Sequence, residues 1–286
     1  MSVLQARGLT KTYGDVRALD GFDISVERGR IVGLIGPNGS GKTTALQAIL
    51  GLQQLNSGEI DVLGHNPWRE RAAMMARVAY IADTGILPKW MKVKDLLAYV
   101  EGVHPNFNRA LAEERLAQTD IRLNKRVRVL SKGMNVQLHL AIMMAIGADL
   151  LVLDEPTLGL DILYRQHFYD AVLNDYFNEE RSILVTTHEV REIEHILTDV
   201  VLIHRGRVRL AAAMDDIATQ YVKVTCSGDQ PLPASPLASR QGLAGHEHIF
   251  QGVPREQLKD IGDVSVPNLA ELFVALVGSD QQEIQS

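Results

Sequence analysis

The residues best suited to chemistry lie in one short stretch, GPNGSGKTT. It fits the pattern Gly-x-x-x-x-Gly-Lys-Ser/Thr, in which successive backbone N–H groups form a nest for phosphate. We expect Lys42 to reach the β and γ phosphates of a nucleotide, and the hydroxyl of Thr43 to bind a magnesium ion. The candidate nucleotide contacts are Gly36, Pro37, Asn38, Gly39, Ser40, Gly41, Lys42, Thr43 and Thr44.

The alternative interpretation of this stretch is a glycine-rich turn whose lysine has no function. The segments on either side disfavour it. The run from Ile31 to Ile35 is apolar throughout, which is typical of a buried strand, and Thr43 to Leu52 carries apolar residues at helical spacing. A loop between a strand and a helix lies at the positive end of the helix dipole. This context therefore favours phosphate binding.

Two carboxylates end the run DLLVLDEP, from Asp149 to Pro156, which predicts a central parallel strand. Asp154 is suited to hold magnesium, directly or through water, and Glu155 to orient and deprotonate a water molecule. The alternative is a solvated acidic turn. It is disfavoured because unpaired charges at a buried strand end cost several kcal/mol.

Two further side chains fit a nucleotide site. His188 follows the predicted strand Ser182 to Thr187, so it reaches the same edge of the sheet, where a γ-phosphate contact is expected. A histidine alone is more often structural. Tyr13 ends the first predicted strand and is expected to stack on adenine, although without the phosphate loop it would be read as a surface tyrosine.

The pattern of the remaining chain predicts an α/β fold with a smaller C-terminal unit. An antiparallel hairpin is expected from Leu4 to Glu27, and a helical run from about Val93 to Gln118 that HPNFN divides in two. Ser131 is placed to cap a helix. The other predicted elements are strands Glu59–Val62, Arg77–Ile81, Val200–Ile203, Arg207–Leu210 and Tyr221–Thr225, helices Gly133–Ile146 and Pro267–Val277, and a loop over Ser227–His248.

Composition restricts the class of protein. The 286 residues are 46% hydrophobic and 22% charged, which is ordinary for a globular chain, and Cys226 is the only cysteine. No apolar run is long enough to span a bilayer, and the first residues lack the apolar core of a secretory signal, so we expect a cytosolic location. The net charge of −6, with its acidic excess in the tail, argues mildly against nucleic acid or anionic lipid as the main partner.

Taken in order, these motifs resemble those of the ATP-binding cassette (ABC) ATPases, over about residues 3 to 212. By this resemblance Asp161 is the D-loop aspartate, and Asp83 takes the place of the Q-loop glutamine near magnesium. The resemblance implies a P-loop parallel sheet with an antiparallel β subdomain and an inserted helical subdomain at about 84–147. Residues 213–286 would form a small α+β accessory extension.

The resemblance also implies a dimer that sandwiches two ATP molecules. Ser131 and Gly133 of the signature loop would then bind the γ-phosphate held by the other copy, although Lys132 and Met134 depart from the usual LSGGQ. The implied catalytic residues are Glu155, His188, Lys42, Ser131, Gly133 and Asp161. The implied metal ligands are Thr43, Asp83 and Asp154.

A single cassette with a short tail is similar to the ATPase subunit of a bacterial-type exporter that has separate membrane subunits. Such a subunit binds ATP and Mg²⁺, pairs with a second ATPase subunit, and sits on the inner face of the cell membrane through its permease partners. No nucleic acid is expected. The alternatives are a soluble ABC ATPase acting on nucleic acid or ribosomes, and a non-transport regulatory ATPase.

Overall fold

The computed structural model describes residues 2–82, 87–159, 161–227, 231–242 and 245–283. Among these residues the strands are β1 (Ser2–Tyr13), β2 (Val16–Glu27), β3 (Ile31–Ile35), β4 (Ser57–Val62), β5 (Val78–Ile81), β6 (Leu150–Asp154), β7 (Ser182–Thr187), β8 (Asp199–His204), β9 (Arg207–Ala213), β10 (Tyr221–Cys226), β11 (Ala238–Gly242), β12 (Gly245–Gln251) and β13 (Asp263–Ser265). The helices are α1 (Lys42–Ile49), α2 (Arg71–Met75), α3 (Val93–Val103), α4 (Arg109–Ala117), α5 (Lys132–Ile146), α6 (Ile162–Ala171), α7 (Val190–Ile193), α8 (Met214–Gln220) and α9 (Leu269–Glu283).

A six-stranded sheet with the order β5-β6-β7-β3-β8-β9 forms the centre of the molecule. All neighbours are parallel except β8 and β9. Both faces of the sheet are covered, so alternate residues of one strand enter different cores: Leu151 packs with the helices, whereas Val152 packs with β1, β2 and α1. Because the strands are parallel, the carboxyl ends of β3, β6 and β7 share one edge.

The predicted N-terminal hairpin is confirmed. Strands β1 and β2 pair antiparallel around a turn at Gly14 and Asp15, and β4 adds to the other side of β1. The helix after the phosphate loop is also confirmed, but it begins at Lys42 and ends at Ile49, which is before the predicted end at Leu52.

The helical subdomain contains α3, α4 and α5, and its two predicted helices before the signature loop are confirmed. The side chain of Asn108 caps α4 by accepting from the N–H of Leu111 at 3.1 Å. Ser131 caps α5 in the same way, through the N–H of Met134 at 3.1 Å.

The C-terminal extension contains a four-stranded antiparallel sheet, β11-β12-β10-β13. Predicting a loop over Ser227–His248 was therefore wrong for part of that range, since β11 and the start of β12 lie within it. Its glycines, prolines and serines hid two strands that are stabilised by pairing, β12 with β10 and β11 with β12. The predicted division of the chain at residue 213 stays a prediction.

Helix α9 joins this extension to the rest of the fold. Leu269 and Leu272 are fully buried in the main core. The carboxylate of Glu194, which directly follows α7, accepts from the N–H of Leu269 at 3.0 Å. Within the described residues, none of the helices has both the length and the apolar character that crossing a membrane requires.

Candidate active site

A cleft of about 870 Å³ opens at the shared edge of β3, β6 and β7. The phosphate loop lines it, together with residues on either side of the turn between β1 and β2. Its lining residues are Tyr13, Val16, Arg17, Ala18, Pro37, Asn38, Gly39, Ser40, Gly41, Lys42, Thr43, Thr44, Tyr80, Ala82, Asp154, Glu155, Leu158 and His188. The motifs predicted from separate parts of the chain therefore meet in one cleft.

The phosphate loop has the tight backbone that its glycines predict. Gly41 adopts a φ of 113°, and a side chain there would collide with the carbonyl of Ala18. A side chain at Gly36 would collide with the carbonyl of Ile203. No side chain caps α1, so the N–H groups of its first turn, which lack partners within a helix, are available to an anion.

Lys42 is buried within this loop and is held there by backbone oxygens. Its ammonium group donates to the carbonyl of Gly36 at 2.6 Å and of Pro37 at 3.3 Å. Burial lowers the pKa of Lys42, and the nearby carboxylates of Glu155 and Asp154 oppose that shift. The lysine is thus a cation placed between the backbone of the phosphate loop and the carboxylate of Glu155.

Asp154 is fixed by two hydroxyl groups. The Thr186 hydroxyl donates to one carboxylate oxygen at 2.6 Å, and the Tyr80 hydroxyl reaches the other at 3.5 Å. Thr43 lines the same cleft. Hydroxyl and carboxylate oxygens are the donors that Mg²⁺ prefers, so these residues fit that ion.

Glu155 lies directly after the end of β6 with a φ of 46°, a conformation that non-glycine residues seldom adopt. Its carboxylate accepts from Nδ1 of His188 at 2.9 Å and lies 3.8 Å from Nζ of Lys42. The Glu155 side chain is only 14% exposed, compared with 34% for that of His188. A largely buried carboxylate beside an imidazole is suited to general-base chemistry.

Tyr13 lies at the entrance of the cleft and is 45% exposed. Its hydroxyl donates to the side chain of Gln53 at 3.1 Å, and the ammonium of Lys11 lies 5.0 Å from its ring centroid. The ring is thus partly open to solvent, and its hydroxyl group is held by a hydrogen bond. Its role as an adenine platform stays a prediction.

The signature residues do not line the cleft among the described residues of their own chain. Ser131 is exposed at the start of α5, and Gly133 is buried against the ring of Tyr164, where an added Cβ would lie 2.5 Å from Cε1. Lys132, which departs from the family pattern, donates from Nζ to the carbonyl of Leu158. The signature loop is thereby tied to a residue that lines the cleft.

Asp161 caps α6 of its own chain, because its side chain accepts a hydrogen bond from the N–H of Tyr164. Farther along that helix, Arg165 pairs with Glu189, next to His188, at 2.6 Å, and also with Glu192. Helix α6 is therefore linked to the segment that carries His188.

The sequence predicts most of the residues that line the cleft, but not the residues that hold them in position. Thr186 had a partial signal, since two threonines follow the apolar run Ile183–Val185 at the end of the strand. Nothing in the sequence pattern marks Tyr80, Arg165 or the partner of Lys132. The Asp83 prediction lies outside the described residues.

Comparison with known proteins agrees with this cleft. The ABC transporter family model matches residues 19–158. A Nod factor export ATP-binding protein I of Cupriavidus pinatubonensis is 33% identical over 99% of this chain and 93% of its own length. A daunorubicin resistance ATP-binding protein of Streptomyces coeruleorubidus is 29% identical over 96% of both chains. A solved ATP-binding subunit of an ABC transporter matches with a TM-score of 0.68 and 27% identity, over 75% of this chain and 91% of that one. This chain belongs to the ATP-binding proteins of the ABC transporter family, and it is an ATPase.

Proposed function

We propose that this chain is the ATP-hydrolysing subunit of an exporter and works as a homodimer bound to separate membrane subunits at the inner face of the membrane. The observation that carries the proposal is the position of Ser131, Gly133 and Asp161, which lie outside the cleft of their own chain. A second copy would supply these groups to the cleft. The export direction draws on relatives that are named for Nod factor export and daunorubicin resistance.

In the proposed mechanism the phosphates of ATP lie in the loop from Gly36 to Thr44, with Lys42 against the β and γ phosphates. Thr43 and Asp154 would hold Mg²⁺, which supplies positive charge to the phosphate oxygens when bound. Asp83 is proposed as a further ligand by resemblance alone.

Glu155 then accepts a proton from a water molecule, whose oxygen attacks the γ-phosphorus. The bond between the γ-phosphorus and the β–γ bridging oxygen breaks, giving ADP and phosphate. His188 holds the Glu155 carboxylate by its hydrogen bond and keeps it directed at the cleft. The charge that develops on the phosphoryl group meets Lys42 and the loop N–H groups on one side. On the other side it would meet Ser131 and Gly133 of the second copy.

The test uses Glu155→Gln, which keeps the shape of the side chain and removes its basicity. We expect ATP binding to persist, hydrolysis to fall by roughly 100-fold or more, and ATP to convert monomers into stable dimers. Light scattering after size-exclusion chromatography measures the dimer. The exposed Glu256→Gln is the matched control. Hydrolysis at the wild-type rate would show that Glu155 is not the base.

The membrane partner is tested separately. A tagged chain extracted in mild detergent should co-purify with an integral membrane protein, and the purified complex should hydrolyse ATP faster than the chain alone. Recovery of RNA or ribosomes in place of a membrane protein would contradict the transport assignment without affecting the ATPase.

A further inference from the structure

A strongly basic surface lies in the helical subdomain, and none of its residues is among those that line the cleft. It is built from two segments, Leu87–Lys94 and Arg122–Val129, which together contain no acidic residue. We call its seven basic side chains the basic patch, and all of them are exposed. They are Lys89, Lys92, Lys94, Arg122, Lys125, Arg126 and Arg128.

The two segments are held together by an antiparallel backbone ladder. Lys92 and Arg126 pair directly, and the N–H of Val127 donates to the carbonyl of Met91 at 2.9 Å. The N–H of Val93 likewise donates to the carbonyl of Lys125 at 2.9 Å. Val93 and Val127 are 0% and 2% exposed, so each segment is anchored in the core by a valine whose two neighbours are exposed cations.

This arrangement works against the stability of the isolated chain. Like charges directly opposite on paired strands repel, as at Lys92 and Arg126. No ion pair of any basic-patch residue occurs within the described part of the chain. The acids nearest in sequence, Asp95 and Asp120, are themselves exposed. A preassembled group of unneutralised cations is instead suited to an extended anionic surface.

An aromatic side chain identifies the kind of surface. Trp90 lies between Lys89 and Lys92 in sequence and is 69% exposed. Val129, which is 61% exposed, lies at the same end of the ladder, because the N–H of Arg128 donates to the carbonyl of Lys89 at 3.0 Å. Tryptophan among lysines and arginines is the composition found where proteins meet the headgroup region of a bilayer. A partner protein fits less well, because the cytoplasmic loops of membrane proteins are themselves rich in Lys and Arg.

We propose that the basic patch binds the anionic headgroups of the membrane surface, with Trp90 at the headgroup boundary. This proposal rests on the proposed function only for the location of the chain at the inner face of the membrane. The net charge of −6 argued mildly against anionic lipid as the main partner, but it conceals this local patch. Negative charge elsewhere on the chain would be repelled by the same lipids, so the protein would approach the membrane with the basic patch first.

The first experiment measures co-sedimentation of the full chain with vesicles, without nucleotide. Vesicles of phosphatidylcholine mixed with phosphatidylglycerol should bind the chain, and vesicles of phosphatidylcholine alone should not. High salt should weaken the binding. A variant with four patch cations replaced should bind more than about tenfold more weakly. The replacements are Lys89→Gln, Lys92→Gln, Arg126→Gln and Arg128→Gln.

The matched control neutralises four exposed cations outside the patch, Arg7→Gln, Arg69→Gln, Arg205→Gln and Lys259→Gln, and should bind vesicles as the wild type does. Both variants should keep their ATP affinity, which verifies folding. Equal binding to the two kinds of vesicle, or equal losses in the two variants, would overturn the proposal. Tighter binding to an RNA oligonucleotide than to the vesicles would overturn it in favour of nucleic acid.

A second measurement leaves the basic patch intact. Trp68 and Trp90 are the two tryptophans of the chain, so Trp68→Phe makes Trp90 the only indole reporter. Its fluorescence should shift to shorter wavelength with phosphatidylglycerol vesicles. Trp90→Phe, which leaves Trp68 as the reporter, should show no shift. An unshifted Trp90 would contradict the proposed contact. None of these readouts needs ATPase activity, so the lipid proposal and the transport proposal fail separately.

Discussion

The nucleotide cleft differs from the surface that carries Ser131, Gly133 and Asp161, which we call the signature side. The functional groups of these two regions make opposite kinds of contact. In the cleft these groups contact one another, as Glu155 does with His188 and Asp154 with Thr186. On the signature side, Ser131 and Asp161 each cap the start of their own helix. The cleft is thus assembled within one chain, whereas Ser131 and Asp161 are held by their own helices outside that cleft.

This difference separates two properties of the enzyme. ATP binding should need only one chain, because the phosphate loop is complete within it. Hydrolysis should need two chains if Ser131 and Gly133 act on the ATP of a second copy, as proposed above. Variants on the two sides should therefore divide into those that lose binding and those that lose only turnover.

The largest effect is expected for Lys42→Ala. The variant removes the one buried cation that the described phosphate loop holds, and we expect hydrolysis to fall by roughly 100- to 1000-fold. ATP affinity should fall as well, because ground-state charge neutralisation is lost. Titration calorimetry and steady-state ATPase rates measure the two losses. The exposed Lys259→Ala is the control, and wild-type ATP affinity in Lys42→Ala would refute the phosphate contact.

Ser131→Ala should lower hydrolysis by roughly 10- to 100-fold while leaving the ATP affinity of the single chain unchanged. The variant also loses a helix cap, which costs about 1 kcal/mol. Asn108→Ala loses an equivalent cap, with the same 3.1 Å bond, on a helix that carries no signature residue. Equal rate losses in these two variants would mean that Ser131 acts only through helix stability.

Lys132→Met tests the link between the two sides. Removing its hydrogen bond to Leu158 should slow turnover by roughly three- to tenfold, since one such bond contributes about 1 kcal/mol. ATP affinity should not change, because Lys132 does not line the cleft. The measurement is the ATPase rate at saturating ATP, with Lys259→Met as the control variant. An unchanged rate would make this contact incidental.

The smallest effect concerns pH. Burial lowers the pKa of His139 on α5 to about 4, from the ordinary value of 6.5. Between pH 6.5 and about pH 4 this histidine is therefore protonated in the unfolded chain but neutral in the folded chain. The free energy of unfolding falls as the pH drops through this window. At pH 5.5 the loss should be about 1 kcal/mol. Urea unfolding at pH 7.5 and 5.5 measures it. His139→Gln should remove this part of the pH dependence, and the exposed His167→Gln should not.

The sequence by itself determined the centre of the site. The phosphate loop is contiguous, so its glycines, Lys42 and the flanking strand and helix could be recognised from local patterns. Asp154, Glu155 and His188 could be placed beside it because parallel strands bring their carboxyl ends to one edge. These inferences need only the periodicity of neighbouring residues.

Tertiary structure alone decided the contacts between segments that are distant in the chain. Lys132 reaches Leu158, and Arg165 reaches Glu189, through side-chain contacts that no local pattern encodes. The strands hidden in the predicted C-terminal loop are stabilised by pairing, β12 with β10 and β11 with β12, rather than by their own propensity. The basic patch likewise exists only because a backbone ladder joins two segments that are each unremarkable alone. Pairing and packing across the chain are collective properties of the fold, which is why the sequence left them open.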